Sequence, residues 1–130
     1  MRSFVSAPSA LRRLPVALLY LGGILVLSWT PARDLTRVGL SAHTLDLVHI
    51  PLFMGLSWVT LWALGGPPRF RILVALAGCL AFAAVGEWLQ SAVPGRIASL
   101  ADFRANAVGV LIGIAVWEGP QALARKWKRS

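Results

Sequence analysis

The spacing of charged residues constrains this chain more than any other feature of its sequence. Four runs of 19 to 24 residues carry at most one charge each. The first two runs contain none, whereas the third contains only Glu87 and the fourth only Glu118. About 20 residues of helix cross the hydrocarbon core of a bilayer. We therefore expect an all-α protein, a bundle of four transmembrane helices over about 14–31, 47–65, 71–91 and 103–123.

The composition agrees with a membrane protein and excludes two other classes. Of 130 residues, 57% are hydrophobic and 14% are charged, which is too apolar for a soluble domain of this size. The net charge of +8 does not indicate nucleic acid as a partner, because Lys and Arg are scattered between and beyond the apolar runs. The single cysteine, Cys79, excludes an intramolecular disulfide and a cysteine zinc knuckle. No cofactor is expected.

Short segments rich in Gly or Pro separate the four runs, as expected where helices end. None of these segments has room for another domain, so residues 1–130 are expected to form a single membrane domain with a basic tail at 124–130. The first run is longer than the apolar region of a typical signal peptide, and no clear cleavage site follows it. We therefore expect it to remain as the first span.

The distribution of Lys and Arg predicts the orientation of the spans. Nine of the 13 basic residues lie in the two terminal segments and the second connection, and four lie in the first and third connections. Positive residues are retained in the cytoplasm. Both termini are therefore expected to be cytoplasmic, in a multi-pass protein of the bacterial cytoplasmic (inner) membrane. The basic tail either lies on the anionic inner leaflet or is solvated.

Most of the polar residues then belong to the outer half of the molecule. Glu87 lies about one turn below the outer end of the third span, and Gln90 follows on nearly the same face. Asp46 and His49 lie near the outer end of the second span. An ionisable side chain within a span is costly unless it faces a partner or a wet cavity, which makes Glu87 a candidate for function. His49 is either an interface residue or a ligand.

One face of the expected fourth span carries a stripe of polar and small residues. Asp102, Asn106, Gly109 and Gly113 follow one another at helical spacing, with the polar side chains nearer the outer surface. The two glycines form a small-xxx-small contact for close helix packing. Ser99 and Asp102 match a capping box, so Asp102 either caps this helix or binds a ligand.

These stripes predict one polar crevice just below the outer surface. Its floor is expected where the third and fourth spans pack, and Arg96 in the connection between them is expected at its edge. Asp46, His49 and Glu87 lack the strict spacing of a metal site, so no bound metal is expected.

The polar residues also follow one another in a specific order: Asp46 and His49, then Glu87-x-x-Gln90, then Arg96-Ile97-Ala98-Ser99-Leu100-Ala101-Asp102-x-x-x-Asn106-x-x-Gly109-x-x-x-Gly113. This order resembles the VanZ-like family of small membrane proteins over about 43–118. Leu47 departs from the family, which often has Lys at that position. The resemblance implies an integral protein of the cell envelope, in a family whose founding member is linked to resistance to the glycopeptide teicoplanin.

Four functions fit this pattern. The leading interpretation is a non-enzymatic protein whose outer site binds lipid headgroups or an envelope precursor. Alternatives are an enzyme acting on a lipid-linked substrate with Glu87 as acid or base, and a small proton-coupled exporter. Otherwise the polar residues only hold helices together. Expected partners are membrane lipids and, if Gly109 and Gly113 pack between chains, a second copy of the protein.

Overall fold

The computed structural model describes residues 7–128, apart from the side chains of 7–10, 42, 43, 45 and 46. No strand occurs in this part of the chain, and the predicted all-α class is confirmed. The described residues form five helices: α1 (Ala7–Trp29), α2 (Ala32–Arg37), α3 (Ala42–Ala63), α4 (Pro68–Gln90) and α5 (Leu100–Trp127).

The four long helices coincide with the four predicted spans, with differences at their ends. Helices α1, α4 and α5 are long and apolar enough to cross a membrane. The apolar stretch of α3, Leu47–Ala63, is shorter and does not meet the same description. Helix α5 continues into the predicted basic tail as far as Trp127, and residues 129 and 130 lie outside the described part. The chain thus has the helices of a multi-pass membrane protein.

Helix α2 occupies a segment that was expected to be a connection. It has only six residues, with Asp34 in its first turn, and Arg37 donates to the Asp34 carboxylate at 3.4 Å. Its one buried side chain is Leu35, which is 4% exposed. Six residues are too few for a helical period to show in the sequence, which explains why this helix was missed.

Local signals in the sequence start each of the later helices. Ser41 caps α3 by accepting the Thr44 amide at 3.1 Å, and Ser99 caps α5. Pro68 begins α4, at a position where its missing N–H leaves no helical bond unmade. Gly66 and Gly95 adopt positive φ angles of 98° and 77° in the turns before α4 and α5, a conformation that favours glycine.

Helices α3 and α5 pack together most extensively. A Cβ atom on Gly109 would overlap the Ile50 backbone, and one on Gly113 would overlap Ser57 and Met54. The glycines therefore admit α3, a partner that the sequence had left open, and the expected packing of α4 against α5 is also present. Both glycines are in contact with α3 of the same chain.

The helices alternate in direction, so two ends of the bundle can be defined. The basic end contains the starts of α1 and α4 and the ends of α3 and α5. There, buried Glu118 pairs with Arg71 at 2.8 Å and with Arg125 at 3.4 Å. The Arg13 guanidinium donates to the Trp62 carbonyl at 2.9 Å. The opposite end contains α2 and is called the α2 end.

Candidate functional site

A cavity of about 140 Å³ lies at the α2 end, between α1, α3, α4 and α5. Most of its wall is apolar and comes from residues such as Ile24, Leu52, Phe53 and Phe82. Polar side chains enter it from α3, α4, α5 and the connection before α5. Five of the predicted site residues line this one cavity: His49, Glu87, Gln90, Arg96 and Asn106.

A chain of hydrogen bonds links the polar residues across three helices. His49 Nδ1 lies 3.0 Å from Asn106 Oδ1, and Asn106 Nδ2 donates to Glu87 Oε1 at 3.4 Å. The Ser99 backbone N–H donates to the other carboxylate oxygen, Glu87 Oε2, at 3.1 Å. Asn106 and Glu87 are only 2% and 8% exposed. Both oxygens of a buried carboxylate are thus satisfied, which stabilises it away from water.

Ser99 joins this chain while it also caps α5. Its Oγ accepts the backbone N–H groups of Ala101 at 3.2 Å and Asp102 at 3.4 Å. In a capping box the side chain three residues after the cap, here Asp102, would accept the N–H of the cap residue. Glu87 accepts that N–H instead. The predicted capping by Ser99 is confirmed, and the reciprocal bond comes from α4.

Arg96 lies where the cavity meets a second, more open space. This outer crevice, about 580 Å³, is also lined by Gln90, Ser99 and Asp102. One guanidinium nitrogen of Arg96 donates to the Leu27 carbonyl at 3.2 Å. Arg96 Nε is buried and has no hydrogen-bond partner among the described residues. The guanidinium therefore stands at the mouth of the cavity, between the crevice and the buried carboxylate.

The two remaining predicted site residues, Asp102 and Asp46, are not among the described residues that line the cavity. Asp102 lines the outer crevice rather than the cavity. The backbone of Asp46 belongs to α3, but its side chain lies outside the described part of the structure. The juxtaposition of the other five is a structural finding, whereas their role in binding stays a prediction.

Sequence reasoning missed some contributors to the site and one cluster away from it. Ser28 lines the cavity from α1, and the Ser99 backbone N–H completes the Glu87 carboxylate. Neither leaves a pattern in the sequence, because one is a single small residue in an apolar run and the other is a main-chain group. The pairing of Glu118 at the basic end was open to prediction, since a carboxylate within a span requires a cation nearby and Arg71 and Arg125 flank the same ends.

The cavity offers hydrogen-bond acceptors inside and a guanidinium at its mouth. Among the side chains that the structure describes, no three His, Cys, Asp or Glu residues are grouped so that they could hold a metal ion. No protein-family model, curated protein or solved structure matches the chain.

Proposed function

We propose that this chain is a VanZ-like protein of the bacterial cytoplasmic membrane whose outward-facing cavity binds the headgroup of a lipid or of a lipid-linked envelope precursor, without converting it chemically. In this proposal α1, α3, α4 and α5 are four spans and both termini are cytoplasmic. The order of polar residues from Asp46 to Gly113 supports the family, and the apolar length of α1, α4 and α5 supports the membrane location.

The orientation is supported by the charges at the two ends of the bundle. Seven of the 13 Lys and Arg residues lie at described positions of the basic end and four lie at the α2 end, while Arg2 and Arg129 fall outside the described residues. The positive-inside rule places that end in the cytoplasm. The α2 end, and the cavity with it, then faces outward at the depth of the headgroups.

The observation that carries the proposal is a buried carboxylate–amide–imidazole chain that lines a cavity with an arginine at its mouth. Polar groups at this depth are costly in a membrane, so a complete network facing a cavity indicates a site. The guanidinium of Arg96 matches the geometry of a phosphate. The apolar wall suits the part of a lipid that adjoins its headgroup.

The size of the cavity limits what enters it. A cavity of about 150 Å³ in another protein accommodates benzene. The present cavity, at about 140 Å³, therefore accepts a group of similar size and excludes a whole lipid molecule. The acyl chains of the ligand remain in the bilayer, and only its polar terminus is enclosed.

Native mass spectrometry from mild detergent tests this proposal. We expect the wild-type protein to retain phospholipid, and Arg96→Ala to retain about tenfold less, because a charge-assisted hydrogen bond contributes about 1.5–3 kcal/mol. The matched control is Arg104→Ala, which removes an exposed arginine in the first turns of α5 that does not line the cavity. Equal lipid retention by wild type and Arg96→Ala contradicts a headgroup site at Arg96.

An enzyme acting on a lipid-linked substrate is the second candidate function. It is favoured by the hydrogen-bonded order His49–Asn106–Glu87, in which a carboxylate and an imidazole are joined through an amide beside the cavity. Glu87 would serve as acid or base and His49 as its proton partner. Turnover of a lipid-linked phosphate by purified protein, lost in Glu87→Gln at equal amounts of folded protein, would favour this candidate over simple binding.

A further inference from the structure

The hydrogen bonds of Asn106 fix the orientation of its side-chain amide. Its Nδ2 faces Glu87 Oε1, and an amide nitrogen can only donate. Its Oδ1 faces His49 Nδ1, and an amide oxygen can only accept. The proton of a neutral His49 ring therefore resides on Nδ1.

This assignment determines what His49 offers to the cavity. With the proton on Nδ1, the Nε2 atom of the neutral ring carries a lone pair and is an acceptor. The ring lines the cavity, and its hydrogen bond to the described residues is the one at Nδ1. Glu87 acts through Asn106 as a positioning residue, since its carboxylate holds the amide that orients the ring.

The polar groups of the site are consequently arranged in two zones. The residues that line the cavity supply acceptors, namely the free Nε2 of His49 and the remaining lone pairs of the Glu87 carboxylate, and the Gln90 amide supplies both an acceptor and a donor. A donor with a permanent positive charge, Arg96, lies at the mouth. A complementary ligand presents an anion outside and a hydrogen-bond donor inside.

We infer that the cavity takes the terminal group of a phosphodiester headgroup that ends in a hydrogen-bond donor, with the phosphate at Arg96 and the donor directed to His49 Nε2. This inference rests on the proposed function and names its ligand class. A terminal hydroxyl, as in phosphatidylglycerol, and a terminal ammonium, as in phosphatidylethanolamine, both satisfy it and are small enough for about 140 Å³. Phosphatidylcholine does not, because its quaternary ammonium has neither an N–H nor an O–H.

The ligand side of the inference is tested with the wild-type protein. The protein is reconstituted in nanodiscs with equimolar phosphatidylglycerol, phosphatidylethanolamine and phosphatidylcholine, and the retained lipid is identified by native mass spectrometry. We expect at least one of the two donor-bearing lipids to be enriched about tenfold over phosphatidylcholine, the effect of one hydrogen bond. Enrichment of phosphatidylglycerol identifies a hydroxyl as the donor, and enrichment of phosphatidylethanolamine identifies an ammonium.

The protein side is tested with two substitutions at one position. In His49→Asn the side-chain amide takes the place of Nδ1 and keeps a donor for Asn106, whereas the atom equivalent to Nε2 is removed. We expect this variant to lose the preference over phosphatidylcholine. In His49→Gln the longer side chain places its amide oxygen near the former Nε2, and we expect part of the preference to return.

The outcomes separate this inference from the proposed function. If wild type retains lipid through Arg96 but does not prefer either donor-bearing lipid to phosphatidylcholine, the ligand class is wrong and headgroup binding stands. The ligand class is also wrong if His49→Asn keeps the wild-type preference. Should His49→Asn fail to fold, the wild-type comparison of the three lipids decides alone. If wild type retains no lipid, the proposed function and this inference are both wrong.

Discussion

The Glu87 carboxylate on α4 accepts the backbone N–H of Ser99 at 3.1 Å, so a side chain from one helix completes the N-terminal cap of another. This bond spans the connection that carries Arg96. The backbone N–H of Arg96 donates to the Val93 carbonyl at 3.1 Å, which closes a turn in that connection. The position of the arginine at the cavity mouth therefore depends on the same carboxylate that lines the cavity. Cap, connection and site form one structural unit.

Glu87→Gln is expected to destabilise the protein by about 1–3 kcal/mol. The carboxylate accepts one hydrogen bond on each oxygen, and a glutamine amide replaces one acceptor with a donor that then faces Ser99 N–H or Asn106 Nδ2. The free energy of unfolding in detergent measures the loss. Asp102→Asn is the matched control at the start of α5. It should change stability less, since Ser99 Oγ and Glu87 make the cap without the Asp102 carboxylate.

Much of the candidate site could be predicted because helical periodicity and membrane depth are both readable in the sequence. Glu87 and Gln90 share a face, Asn106 lies one turn below Asp102, and positive-inside counting places these residues at one end. These patterns predict which face of a helix carries polar or small residues. They do not predict which neighbouring helix packs against that face. The spacing of Gly109 therefore predicts a small packing residue, whereas its partner, the Ile50 backbone on α3, required the structure.

The features that could not be predicted involve groups that leave no pattern in the sequence. The cap on Ser99 involves a main-chain N–H and a side chain twelve residues away, and no local motif encodes that pairing. Helix α2 is shorter than two turns, so its single inward residue, Leu35, has no partner at helical spacing to reveal it. Contacts between elements, rather than the elements themselves, required the structure.

Gly113→Ala is expected to lower the free energy of unfolding by about 1–3 kcal/mol. An added Cβ would overlap the Ser57 side chain and the Met54 backbone, so α5 would have to move away from α3. The change should also break the hydrogen bond from Trp58 Nε1 to the Gly113 carbonyl, which is 2.8 Å long. Gly78→Ala in α4 is the control, because nothing lies within 4 Å of its added Cβ. Equal thermal unfolding of the two variants would contradict this packing.

Arg71→Gln is expected to cost about 3 kcal/mol of folding free energy. It removes the closer of the two cations paired with Glu118, a carboxylate that is only 6% exposed. Arg125 remains at 3.4 Å but is itself 44% exposed. Arg69→Gln is the control, since Arg69 is exposed. Stability should return in part when Glu118→Gln is combined with Arg71→Gln, because the unpaired buried charge is then removed.

The proposed orientation, with the cavity facing outward, predicts a specific labelling pattern in intact cells. Cys79 is 3% exposed and is replaced by alanine, so that a single new cysteine reports on each end of the bundle. Ala98→Cys lies in the exposed connection at the α2 end and should react with a membrane-impermeant maleimide. Arg69→Cys lies at the basic end and should react only after the membrane is permeabilised, because the positive-inside rule places that end in the cytoplasm. The reverse pattern would put the Arg96 guanidinium on the cytoplasmic side and contradict binding of any ligand from the outer leaflet.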